Sequence, residues 1–146
     1  MTMKDLVIFC DGGAFNNPGP AGIGVVICDK SGKVIKKISR YVGEKTNNQA
    51  EYQAIIAALK EAKKLKSKNI QIYLDSKLAV EQINHRYKIK NAGLAPLFIE
   101  VHNLKISMPN LKFSYVPRTK NKIADNLVKE AIKQYVKKNR PKTRSS

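Results

Sequence analysis

Four acidic side chains, Asp11, Glu51, Asp75 and Asp125, occupy positions from which acids could do chemistry. Asp11 follows the apolar run Leu6 to Cys10, on the same face as Val7 and Phe9. It therefore closes a strand expected to be buried on both faces, where only a partner cation or hydrogen bonds could offset the desolvation of a charge. Asp75 ends a second strand, NIQIYLD, in which Ile70, Ile72 and Leu74 share one face. Glu51 lies four residues before Ile55 and so extends the helical row Ile55, Ala58, Leu59 and Ala62. Asp125 falls in the first turn of a last helix. Each has a plainer reading alone: a solvated turn residue for Asp11, a helix-dipole acid for Glu51 and Asp125, and the N-cap of the following helix for Asp75. Gathered in one place, however, the four would repel one another and demand cations. All-oxygen ligation selects hard ions, Mg2+ or Mn2+. Two such ions roughly 3.5 to 4 Å apart would activate a water and stabilise the leaving oxygen of a phosphodiester.

The intervening elements must bring these acids together. Asn17-Pro18-Gly19-Pro20 reads as a rigid turn from the first strand into a second, Gly24 to Asp29, and Lys30-Ser31-Gly32 as a turn into a less regular third, Lys33 to Val42. Gly12 and Gly13, directly after Asp11, let backbone or ligand come close. Thr46-Asn47-Asn48-Gln49 has the form of a capping box and opens a helix running to about Leu65. The right-handed crossover rule then permits the strand ending in Asp75 to lie parallel beside the first, placing Asp75 next to Asp11. A helix from Ser76 to about His85, a basic connection to Asn91, a short helix from Leu94 to Ile106 and a strand from Leu111 to Val116 follow. Pro117 to Lys122 is a basic turn into the last helix, whose apolar row reads Ile123, Leu127, Ala131 and Tyr135. Residues 1–138 form one domain, and 139–146 a basic tail expected to be disordered.

Composition narrows the partner. Of 146 residues, 28 are Lys or Arg and 11 Asp or Glu, a formal charge of +17 that suits a polyanion such as nucleic acid. The two cysteines, Cys10 and Cys28, sit inside apolar strand patterns and offer neither a disulfide framework nor metal-ligand spacing. The N-terminal residues lack a signal-peptide core and no apolar stretch approaches membrane-spanning length. A soluble, cytoplasmic monomer without a membrane partner is the resulting expectation.

The pieces DGG with NPGPAGIG, TNNQAE, YLDS and IADNL, in this order over about residues 5 to 136, resemble ribonuclease H of type 1. The resemblance implies an α/β fold with a five-stranded mixed sheet of order 3-2-1-4-5 and helices on both faces. It also implies hydrolysis of the RNA strand of an RNA/DNA hybrid, leaving 5′-phosphate and 3′-hydroxyl ends, with Asp11, Glu51, Asp75 and Asp125 holding two Mg2+ ions, Mn2+ being the alternative. Gly12 then belongs to the substrate surface. Asn17, Asn47, Asn48 and Gln49 line the minor groove of the hybrid, where 2′-hydroxyls distinguish RNA. Thr46 and Asn91 match positions that hold a DNA-strand phosphate. Duplex RNA is a second candidate substrate.

Two departures from the family pattern stand out. The usual catalytic histidine before the last helix is absent, and the loop reads Val116-Pro117-Arg118-Thr119-Lys120-Asn121; the chain's histidines, His85 and His102, lie elsewhere. Arg118 falls nearest that position and could contact the scissile phosphate or leaving group, but as a permanent cation it cannot be a base. The long basic protrusion of some members is reduced to Arg86 to Asn91. A non-catalytic hybrid or duplex-RNA binder, which would lose at least one carboxylate, and another nuclease of the superfamily, which would not need a 2′-hydroxyl reader, are the alternatives.

Overall fold

β1 (Leu6–Ala14) is the middle of a five-stranded sheet ordered β3-β2-β1-β4-β5. The computed structural model describes residues 5–84 and 89–139. β1 pairs antiparallel with β2 (Gly19–Asp29), which pairs antiparallel with β3 (Val34–Lys45). On its other side β1 runs parallel to β4 (Ile70–Leu74), and β4 parallel to β5 (Leu111–Tyr115). The mixed sheet and its order are those the sequence implied.

The two partners of β1 differ in length, and this corrects the expectation that the strand stops at Asp11. Pairing with β4 ends at Cys10 opposite Leu74, but pairing with β2 continues through Asp11 opposite Gly24 to Ala14 opposite Ala21. An Asp-Gly-Gly run reads as an ending because it carries no apolar alternation, yet the antiparallel ladder needs only backbone. β2 accordingly begins at Gly19 and not Gly24. β1 and β4 part at the level of Asp11, and the crevice this opens is where the acids gather.

Helices cover both faces. α1 (Asn47–Lys64) packs on β1 and β2 with α2 (Lys77–Ile83) and α3 (Ala95–Ile106) beside it, while α4 (Lys122–Asn139) crosses β1, β2 and β3 on the opposite face. Leu6, Ile8 and Cys10 point into the main core with Tyr52, Ile55, Leu59 and Ile72. Val7 and Phe9 pack less completely, against a small cluster of Val26, Cys28 and Ala124 under α4. The α4 row also needs correction: Ala124, Val128 and Ala131 are buried, whereas Ile123 is 51% exposed. A Cβ at Gly24 would collide with the carbonyl oxygen of Ala124, so the backbones meet where both side chains are small, and size outranks hydrophobicity in choosing the buried face. Tyr41 of β3 stacks on Tyr135 of α4 with ring centroids 3.7 Å apart, closing the far end.

Cys10 and Cys28 are free and buried. Among the described residues no helix is long and apolar enough to cross a membrane. The expected α2 end at His85 and residues 86–88 of the basic connection lie outside the described residues, as does the tail from 140 on; residue 139 belongs to α4.

Candidate active site

Each acid arrives on a different element. Asp11 comes from the stretch of β1 beyond its pairing with β4, Asp75 from the residue after β4, Glu51 from the first turns of α1 and Asp125 from the first turn of α4. A groove of about 570 Å3 is lined by Asp11, Glu51, Asp125 and Arg118, and an adjoining crevice by Asp11, Glu51 and Asp75. Asp11 and Glu51 belong to both, so the four acids surround one centre.

One close backbone approach makes this meeting possible. A Cβ at Gly12 would collide with the Ala50 carbonyl oxygen, so only glycine lets α1 settle on β1 with Glu51 beside Asp11. The ends of the same elements are then tied: Asn47 Oδ1 accepts from the Ala14 N–H at 2.8 Å, and Asn17 Oδ1 accepts from the Asn47 N–H at 2.9 Å. The capping box forms as the sequence predicted, with Thr46 Oγ1 accepting from Gln49 N and Gln49 Oε1 from Thr46 N.

The electrostatics are those of crowded acids. Asp11, 7% exposed, is pushed up to about 8, first by burial, then by the charges of Asp75 and Asp125 and a hydrogen bond shared with Asp125. Glu51 rises to about 7 through burial and the Asp75 charge, against a Ser76 hydroxyl that favours the ionised form. That hydroxyl also caps α2, accepting from Ala79 N at 3.1 Å, so Asp75 is not the cap. Asp125 pairs with Lys129 at 3.0 Å, one turn along α4. The Arg118 guanidinium, itself exposed, lies 4.0 Å from Asp75, whose side chain is buried.

Among the described residues no three or more His, Cys, Asp and Glu side chains are drawn tightly enough to enclose an ion. The donor chemistry nonetheless fits one kind of guest. Four carboxylates, with Asp11 and Glu51 raised to about 8 and about 7 first by burial and then by neighbouring acids, favour a hard divalent cation such as Mg2+ or Mn2+ over a soft one.

The remaining residues form one polar strip. Asn91 Oδ1 accepts from Gly93 N at 2.7 Å, and Gln49 Nε2 donates to Gly93 O at 3.3 Å, linking Asn91 to the α1 cap. Asn48 is exposed and makes no side-chain hydrogen bond among the described residues. Sequence reasoning missed three contributors. Ser76 steadies Glu51 and Lys129 pairs with Asp125, while Asn121, 1% exposed, bonds Asp75. The only sequence signal for Asn121 was its place directly before the last helix. His102 lies in α3 and does not line the groove.

This sheet order, with four acids where its central strands part, defines a mixed α/β domain with an acidic site, and comparison with known proteins supplies the family. Residues 9–131 match the family described as reverse transcriptase-like. A type 1 ribonuclease H isolated from compost by a metagenomic approach is 43% identical, superposes with a TM-score of 0.87, and is covered over 99% of its length by 92% of this chain. A second structure of that compost protein, in complex with RNA/DNA hybrid, gives 43% identity and a TM-score of 0.85, covering 90% of this chain and 99% of that one. The bifunctional protein Rv2228c of Mycobacterium tuberculosis is 39% identical over 129 residues, which are 87% of this chain but 35% of the relative. The chain thus spans about a third of that curated relative. The chain belongs to the reverse transcriptase-like family and, within it, to the type 1 ribonucleases H.

Proposed function

We propose that this protein is an endonuclease that hydrolyses the RNA strand of RNA/DNA hybrids with two divalent cations, Mg2+ or Mn2+, leaving 5′-phosphate and 3′-hydroxyl ends. The observation that carries this reading is the convergence of Asp11, Glu51 and Asp125 on a groove, and of Asp75 with Asp11 and Glu51 on a crevice, in a chain of formal charge +17. Acids within a field otherwise suited to phosphates make sense only if cations sit between the two. Family membership, and the relative in complex with RNA/DNA hybrid, favour the same substrate.

The four carboxylates would hold the cations, which when bound supply the activation of the attacking water and the neutralisation of charge on the leaving oxygen. The chain's own groups do the rest. Arg118, permanently charged and exposed at the groove, offers a planar fork to the scissile or departing phosphate. Asn17 and Asn47 spend their amide oxygens on backbone N–H groups, which leaves their NH2 groups as donors for ribose 2′-hydroxyls. Asn48 has its whole amide to offer. Thr46 keeps its hydroxyl hydrogen for a DNA-strand phosphate, and Asn91 its NH2 group. Gln49 spends its amide oxygen on Thr46 N and one amide hydrogen on Gly93 O, which leaves its second amide hydrogen for a sugar.

Strand-labelled RNA/DNA hybrid, duplex RNA and duplex DNA, each incubated with Mg2+, Mn2+ or EDTA, test the proposal. The expected result is cation-dependent cutting of the RNA strand of the hybrid and no cutting of duplex DNA. An uncut hybrid at saturating cation overturns it, and the duplex RNA lane shows whether that second substrate is accepted.

A further inference from the structure

Asn121 is a buried amide at the point where β1 and β4 part. Its Nδ2 donates to Cys10 O at 2.8 Å and to Asp75 Oδ2 at 2.9 Å. Cys10 is the last β1 residue paired with β4, and the next residue is Asp11. The Asn121 backbone joins the other two sides of the site: its N–H donates to Arg118 O at 2.9 Å, and its carbonyl accepts from Asp125 N at 3.0 Å. One residue thus touches the strand that carries Asp11, the carboxylate of Asp75, the turn that carries Arg118 and the first turn of the helix that carries Asp125.

Its remaining polar atom, Oδ1, is buried with no hydrogen-bond partner. An unmet buried acceptor is costly, and an apolar residue at the start of α4 would avoid that cost. Such a cost is tolerable where the donor side of the amide does something a hydrocarbon cannot. Here it holds Asp75, whose other oxygen has, among the described residues, only the 4.0 Å contact to the exposed Arg118 guanidinium. A carboxylate that must meet a cation is held best by a neutral donor, because a second cation in that place would compete with the ion for the same charge.

We propose that Asn121 is a positioning residue: its amide presets the Asp75 carboxylate, relative to Asp11 and Asp125, for divalent-cation binding. The inference rests on the metal-dependent reading of the four acids, but its first readout needs no nucleic acid.

Mn2+ titrated calorimetrically into the full chain should bind Asn121→Ala at least several-fold more weakly than wild type. In hybrid cleavage the same variant should lose about tenfold or more in kcat with KM within about twofold, because phosphate and sugar contacts are untouched. Asn121→Ser, which fills more of the hole but cannot bridge both acceptors, should behave alike and covers the case in which the alanine variant does not fold. Val101→Ala, a cavity in α3 remote from the groove, controls for lost stability and should keep wild-type Mn2+ affinity and kcat. Unchanged Mn2+ affinity in the Asn121 variants, or an equal loss in Val101→Ala, overturns the proposal. If hybrid is not cut by the wild type, the substrate assignment fails while the Mn2+ comparison still decides the role of Asn121.

Discussion

At the scale of single residues, the raised acids make stability depend on pH in a defined direction. Asp11 and Glu51 sit at about 8 and about 7, so the folded chain keeps protons that the unfolded chain, with ordinary carboxyls near pH 4, has released. Across that window the native state binds more protons, and stability falls as pH rises. The contribution is whole below about pH 4 and lost as pH passes the folded values. Asp11→Asn removes the largest part, so its melting temperature in EDTA should gain on wild type between about pH 5 and 9. The gain should be several degrees, since 1 kcal/mol is worth about 2–4 °C in a chain of this size. A gap between the two proteins that stays constant with pH would contradict the crowding of these acids. The acids were legible in sequence because each stood at an element end or on a helical row: Asp11 and Asp75 closed strands, Glu51 extended the α1 row and Asp125 opened the last helix. Asn121 was not, because a lone amide in a basic turn has no periodicity to break, and its role exists only where three elements meet.

At the scale of elements, adjacent glycines should give opposite results. At Gly12 a methyl group would strike the Ala50 carbonyl, whereas at Gly13 its nearest neighbour would be Val128 Cγ1 at 3.6 Å, an ordinary contact. Gly12→Ala should therefore unfold at much lower urea, with hybrid cleavage lost, while Gly13→Ala should match wild type or gain up to about 1 kcal/mol from a less flexible unfolded chain. Equal midpoints for the two variants would mean that α1 can retreat from β1 at little cost. The strip at the start of α1 separates binding from folding. Asn48→Ala touches no hydrogen bond and should keep the wild-type melting temperature while lowering hybrid cleavage with little change in affinity for duplex DNA. A parallel fall in duplex DNA binding would place Asn48 on phosphates. The capping box could be read from sequence because local chemistry sets it; the crossover rule permitted β4 beside β1, and the full sheet order came with the family resemblance. The length of β1 and the buried face of α4 could not, because β2 and the Gly24–Ala124 contact decide them from a distance.

At the scale of the whole molecule, the formal charge of +17 carries the grip on the duplex. Affinity of a cleavage-dead variant for hybrid should fall steeply with salt, by about −0.9 in log affinity per log salt for each phosphate contacted on a B-form duplex, with a somewhat different value for the hybrid. Affinity unchanged between low and moderate salt would show that the basic surface serves something else. The central claim is that this field delivers a phosphodiester to four carboxylates acting with cations. Cleavage of strand-labelled hybrid by Asp11→Asn and Asp75→Asn at saturating Mg2+, both checked as folded, tests it most directly. Both are expected to lose essentially all turnover, while wild type cuts the RNA strand to 5′-phosphate and 3′-hydroxyl ends. Near wild-type turnover in either variant would contradict it.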